Sequence, residues 1–131
     1  MILAIRDSLL EHPGTVKDIP RSGFTPSILP VHVDTPIVLS RTPSANNRVT
    51  TILEVEISAW GRHNANNRTE VQCEVQDKLR EYQSWVDNRT PKDWPVVIFW
   101  GHDWSANSLQ YLGSQTVVSV STLTLTIEEE R

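Results

Sequence analysis

Few residues in this chain have the types and spacing for covalent or metal chemistry. His102 and Asp103 are adjacent just after an apolar run, and a histidine beside a carboxylate can relay a proton or bind a metal. His12, His32 and His63 supply no second pair at metal-ligand spacing. Glu54 and Glu56 stand two apart, which on a strand puts both carboxylates on one face, and such a pair can serve hydrolysis or hold a hard cation. Taken with His102 and Asp103, they define one alternative, a small metal-dependent hydrolase. Each pair also has a bland reading, as a loop after a strand and as a wet or interfacial strand face. Cys73 is the single cysteine, one turn past an expected helix start where the backbone dipole can lower a thiol pKa. No histidine lies near it in sequence, so a structural or half-exposed cysteine is the competing reading. There is no glycine-rich phosphate loop and no Gly-x-Ser-x-Gly elbow. The expectation is therefore no catalytic, cofactor-binding or metal residue, and no cofactor.

Tryptophan is the other conspicuous residue type. Trp85, Trp94, Trp100 and Trp104 fall in one window, with Trp60 apart from them. A nucleic-acid stacking platform needs basic partners, but the window offers Arg89 and Lys92 against Asp87, Asp93 and Asp103. Core anchors or a subunit-contact patch are the readings that remain.

The elements that must position these residues follow from hydrophobic period and breakers. Residues 2–11 read as a short helix with Ile2, Ile5 and Leu9 on one face, stopped by His12-Pro13-Gly14. Thr15–Ile19 reads as one further turn. Residues 20–36 carry four prolines and read as irregular, with Ile28–Val33 a short edge strand. Ile37–Arg41 reads as a strand and Thr42–Arg48 as a polar loop. Over residues 49–60, Val49, Thr51, Leu53, Val55, Ile57 and Ala59 alternate with a mainly wet face. Asn67 and Glu70 have capping-box spacing, and Val71, Val75, Leu79, Tyr82 and Val86 form a helical stripe over Arg68–Val86. Val96–Trp100 is a short apolar run expected to be a strand covered on both sides, Gly101–Ser114 a flexible segment, and Gln115–Glu128 a last strand with one dry face and one hydroxyl face. The order predicts an α+β fold: a mainly antiparallel β-sheet with two helices packed on one face, in a single domain over residues 1–131.

Length and charge bound the class. The chain has 131 residues, which fits one domain. Its net charge is −4, the wrong sign for a general nucleic-acid binder. Only 38% of residues are apolar, a thin core that is easier to explain if burial is completed in an assembly. One cysteine excludes an internal disulfide and fits a reducing cytoplasm. The N-terminus becomes charged too early for a signal peptide, and no stretch is apolar enough to span a membrane.

The pattern resembles the small tail-terminator, or tail-completion and head-tail joining, proteins of long-tailed bacteriophages and prophages. The likeness lies in the opening Ile5-Arg6-Asp7-Ser8-Leu9-Leu10, the turn Thr15-Val16-Lys17-Asp18-Ile19 after a Pro/Gly break, and the strand Thr35-Pro36-Ile37-Val38-Leu39-Ser40-Arg41. It continues in Leu53-Glu54-Val55-Glu56-Ile57-Ser58-Ala59-Trp60 and the helix from Arg68 to Leu79, covering most of residues 3–86 and weakly the last strand. Residues 87–114 depart from it. The resemblance implies a non-enzymatic virion protein, located in the tail or neck and assembled in the host cytoplasm. It implies a homo-oligomeric ring, usually a hexamer, at the head-proximal end of the tail. That ring ends tail-tube polymerisation, meets the tail-tube protein on one side and the head-tail connector protein on the other, and passes DNA without sequence-specific binding. Another neck or head-closure protein of the same architecture is an alternative. Ring contacts are heterologous and need two different patches. The candidate contacts are Arg41, Asn46, Asn47 and Arg48 around the polar loop, Glu54 and Glu56 on the strand face, and Trp100, His102 and Trp104 in the segment 100–108; the loops read equally as solvent loops.

Overall fold

Two long alternating runs form the centre of the sheet. The computed structural model describes residues 2–19, 29–95 and 99–130. Among these, the elements in chain order are helix α1 (Ile2–Leu9), strands β1 (Thr15–Val16), β2 (Val31–Val33), β3 (Ile37–Ser44) and β4 (Arg48–Arg62), helix α2 (Arg68–Asp87), a 3₁₀ turn (Pro91–Asp93), and strands β5 (Phe99–Trp104), β6 (Ser108–Leu112) and β7 (Thr116–Glu130). β4 and β7 pair antiparallel along their whole length, from Arg48 opposite Glu130 to Arg62 opposite Thr116. β2 and β3 follow one another along the free side of β4, and β5 and β6 along the free side of β7. The sheet is thus two long, broken hairpins set side by side, residues 31–62 and 99–130, joined by α2. The parallel pairing of β1 with β2 makes it mixed. The fold is α+β, as the alternation and the helical stripes predict.

Both helices cover one face. Leu53, Val55, Ile57 and Ala59 of β4 and Val117, Leu123, Leu125 and Ile127 of β7 are buried against Val71, Val75, Leu79, Tyr82 and Val86 of α2 and Ile5 and Leu9 of α1. This is the period-2 face meeting the period-3.6 stripe. α2 comes close to the sheet at Gly61, where an added β-carbon would lie 2.7 Å from a methyl of Val71 and 2.7 Å from one of Val75. Tyr82, wholly buried, donates its hydroxyl to the Leu9 carbonyl at 2.7 Å and so occupies one of the carbonyls that the end of α1 leaves unpaired.

Several expected boundaries move, for identifiable reasons. Thr42–Arg48 is not a polar loop: β3 runs on through Pro43 to Ser44, and only Ala45, Asn46 and Asn47 form the hairpin tip. Asn46 and Asn47 adopt φ of 63° and 59°, a left-handed conformation that asparagine tolerates better than most residues. Pro43 is accommodated because β3 pairs on one side only, with β4. Gly101–Ser114 is ordered as the rest of β5, β6 and their link, held to β7. Thr15–Val16 forms a strand in place of a helical turn, because it pairs with β2. β2 is not an edge strand, since β1 covers its other side. The capping box at Asn67 and Glu70 does not form: the Asn67 side chain bonds back to the Asn64 amide at 2.7 Å, and Asn64 in turn accepts from the amides of Asn66 and Asn67. Residues 20–28 and 96–98 lie outside the described residues, and with them most of the expected strand Val96–Trp100 and the start of Ile28–Val33.

Candidate functional site

Alternation along β5 decides the fate of the histidine–aspartate pair. Trp100, His102 and Trp104 lie in register with Ile127, Leu125 and Leu123, on the face the helices cover. Asp103 lies in register with Thr124, on the opposite face. Neighbours in sequence are therefore on opposite sides of the sheet, and His102 and Asp103 cannot act as a unit. His102 finds a different carboxylate, Asp87 at the end of α2, with Nε2 2.6 Å from Oδ1. Trp104 Nε1 donates to the same oxygen at 2.9 Å. Trp100 stacks on His102, and Trp94 packs on Trp100, both with ring centroids 4.8 Å apart.

The chain of contacts continues through Arg89. Its Nη2 donates to Ser8 Oγ at 2.6 Å, to the Asp93 carbonyl at 3.0 Å and to Glu11 at 3.2 Å. The guanidinium sits 4.4 Å from the Trp85 ring centroid and 5.5 Å from that of Trp94, a cation–π arrangement. Asp93, within the 3₁₀ turn, accepts from the Thr90 amide at 2.7 Å and hydroxyl at 3.0 Å. These bonds hold its carboxyl below the usual carboxylate range, helped by Arg89 and Lys92. The tryptophan-rich window is thus an internal clasp. It fastens α1, the end of α2 and β5 to one another, which favours the core-anchor reading for Trp85, Trp94, Trp100 and Trp104. Sequence alone does not single out Asp87 or Arg89, because their partners come from distant segments.

The other face of the sheet is the open one. Glu54 and Glu56 project from it as expected, in register with Thr124 and Thr122 of β7. Asp103 joins the Glu54–Thr124 row. Around them stand Thr50 and Ile52 of β4 and Val120 and Thr126 of β7, whereas Ser58, with His32 of β2 opposite it, and Val118 are buried at one end of this face. Trp60 lies at one end, its Nε1 bonded to Ser58 Oγ at 2.8 Å. At the other end Arg48 faces Glu128 across 3.6 Å. Glu54 and Glu56 on this face and His102 on the other cannot converge on one ion or water. Among the described residues no group of three or more His, Cys, Asp or Glu side chains is placed to hold a metal. Cys73 is exposed on α2.

The remaining candidates are spread along one side. Asn46 and Asn47 form the tip of the β3–β4 hairpin with Arg48 beside them, and Arg41 lies on exposed β3. The aliphatic run Ile37, Val38 and Leu39 on that strand is exposed as well, at 55%, 46% and 52%. Sequence reads this run only as the body of a strand. Its exposure follows from β3 being an edge, which hydropathy does not report. No helix among the described residues is long and apolar enough to cross a membrane. The chain matches no family model and no curated protein.

Proposed function

We propose that this chain is a virion structural protein that forms a ring at the head-proximal end of a long phage tail, ends tube polymerisation there and offers the docking surface for the head connector. The observation that carries the reading is the open sheet face. One face is sealed by both helices, whereas the other displays threonines, Glu54, Glu56 and Asp103 over its middle, with Ser58, His32 and Val118 buried at one end. A folded monomer does not need a face of this kind for its core. Between Thr50 and Ser58 the face carries acids and no Lys or Arg, so copies arranged around a channel would present phosphates with like charge, and a duplex would pass without adhering. The element order from α1 through the hairpin to α2 also agrees with the resemblance on residues 5–79. In this reading no residue is catalytic, and the separation of His102 from Asp103, Glu54 and Glu56 weighs against the hydrolase alternative.

The test is electron microscopy of phage lysates lacking this protein. Tails of uncontrolled length that fail to join heads are expected. Tails of normal length that still join heads would sink the proposal.

A further inference from the structure

Each side of the sheet ends in a strand with an unpaired edge. Among the described residues β3 pairs only with β4, and β5 only with β7. β3 is exposed or half-exposed at all of its residues, and Ile37, Val38 and Leu39 are consecutive on it. Scattered exposed aliphatics are ordinary, but three in a row on an open edge expose both apolar surface and unpaired amides, the combination that edge strands normally avoid. Pro43 removes one donor near the tip, and a bulge lies between Val38 and Ser40. The remaining backbone from Ile37 to Thr42 keeps its donors and acceptors.

The charges of the two edges are opposite. β3 carries Arg41 and no acid; β5 carries exposed Asp103 and no Lys or Arg, with half-exposed Asp87 held beside its His102. Arg41 has no ion-pair partner among the described residues. Pairing β3 with β3, or β5 with β5, about a two-fold axis would bring like charges together on short strands, which is unfavourable. Pairing β3 with β5 so that Arg41 stands level with Trp100 puts Arg41 on the same face as His102, two rows from it, and so near the Asp87 carboxylate that His102 holds, whereas Asp103 stands three rows away on the other face.

Direction and level agree with this. Each lateral step across β3, β4, β7 and β5 is antiparallel, so β5 runs opposite to β3. The register puts Ser40, Ile52, Thr126 and Gly101 in one row, and Arg41, Thr51, Ile127 and Trp100 in the next. Rotating a copy about an axis along the strands would set its β5 beside β3 of its neighbour at the same level. The antiparallel sheet would continue with its helix-covered and open faces preserved.

We infer that the β3 edge of one copy of this chain pairs with the β5 edge of the next, by head-to-tail strand addition. The contact rests on the ring reading only for its closure, since the same contact repeated without closing gives a filament. It assigns Arg41, Trp100, His102 and Trp104 to two sides of one interface, with Ile37 to Leu39 as its apolar part.

The test is cysteine cross-linking of the full chain, with exposed Cys73 first replaced (Cys73→Ser). Ser40→Cys and Gly101→Cys lie in one row; a β-carbon at Gly101 meets nothing within 4 Å, and neither change removes a charge. The two single variants are mixed in equal amounts with a short bismaleimide. The expected result is the mixed dimer in about tenfold excess over either homodimer, where random pairing gives about twofold, and a ladder of multimers from the double variant. Adding Val38→Lys with Leu39→Lys, both at exposed positions, should abolish the mixed product while the circular dichroism spectrum is unchanged. Homodimers of Ser40→Cys as abundant as the mixed product would show two-fold edge pairing and overturn the inference. So would the absence of any cross-link at the highest soluble concentration. Cross-linking with normal tails in phage lacking the protein leaves the edge pairing and removes the ring; defective tails without cross-linking do the reverse.

Discussion

Replacing Gly61 by alanine should loosen the whole helix-on-sheet contact, by an amount that two valines control. The added β-carbon would meet Val71 Cγ1 and Val75 Cγ1 at 2.7 Å each, with Leu29 Cδ2 at 3.4 Å, where ordinary contact begins. Valine in a helix has essentially one χ1 rotamer, so neither methyl can swing aside. The helix itself must lift. Overpacking of this kind costs about 1–3 kcal/mol, and two rigid obstacles on one buried stripe place Gly61→Ala in the upper half, about 2–3 kcal/mol. The loss of glycine freedom in the unfolded chain returns roughly 0.5 kcal/mol, leaving about 1.5–2.5 kcal/mol. With an unfolding entropy of about 2.1 cal/mol/K per residue, Tm falls by about 5–9 °C for 131 residues. Val75→Ala alone costs about 1–3 kcal/mol through the space it leaves. Combined, the alanine methyl enters that space, so the double variant should be more stable than the sum of the two by about 1 kcal/mol or more. Urea and thermal unfolding followed by circular dichroism read all three. A Gly61→Ala cost below about 0.5 kcal/mol, or additivity within about 0.5 kcal/mol, would refute the close-approach reasoning.

Tyr82→Phe leaves the buried Leu9 carbonyl unpaired and should cost about 1–3 kcal/mol, read as a Tm drop of about 4–10 °C. Burial also pushes the Tyr82 phenol pKa up, so the unfolded chain ionises from about pH 10 while the folded chain stays neutral; stability should fall above that pH by about 1.4 kcal/mol per unit, and the Phe variant should lose this share of the slope in alkaline urea titrations. Asp93 is shifted the other way: its contribution is present above the ordinary carboxylate pKa of about 4 and is lost as pH falls through its lower folded value. Asp93→Asn should therefore flatten the acid limb of the urea midpoint against pH, and an unchanged limb would remove the Thr90 bonds as its cause.

Periodicity carries the parts of the fold in which burial alternates strictly. β4, β7 and the α2 stripe lie where Val, Leu and Thr spacing put them, because a face that must be dry leaves a period in the sequence. Edges leave none. Residues 37–41 read as a strand, but whether Ile37, Val38 and Leu39 are covered depends on β3 having a single neighbour. The hairpin tip is hidden for another reason: Thr-Pro-Ser-Ala-Asn-Asn looks like a polar loop until the two left-handed asparagines are recognised as its turn. The histidine pair fails on alternation, a signal present in the sequence itself, since residues 99–104 taken as a strand separate His102 from Asp103. The substitute, Asp87, is beyond reach of the sequence because it depends on where α2 ends relative to β5. The clasp of Arg89 with Trp85 and Trp94 shows the same limit, as its donors and acceptors come from residues 8–11 and 89–94.

The β4–β7 seam also governs the order in which the molecule is made. Each hairpin closes over a three-residue turn, so its pairs form between near neighbours in the chain. The seam joins Arg62 to Thr116 and Arg48 to Glu130, across α2 and the second hairpin's other arm. Contacts so distant in sequence set the folding rate, so the hairpins should assemble first and the seam last. On the ribosome β4 must therefore wait, with its apolar face and one edge open, until residues 116–130 have been synthesised. That interval is when a newly made chain is most exposed to pairing with the wrong strand.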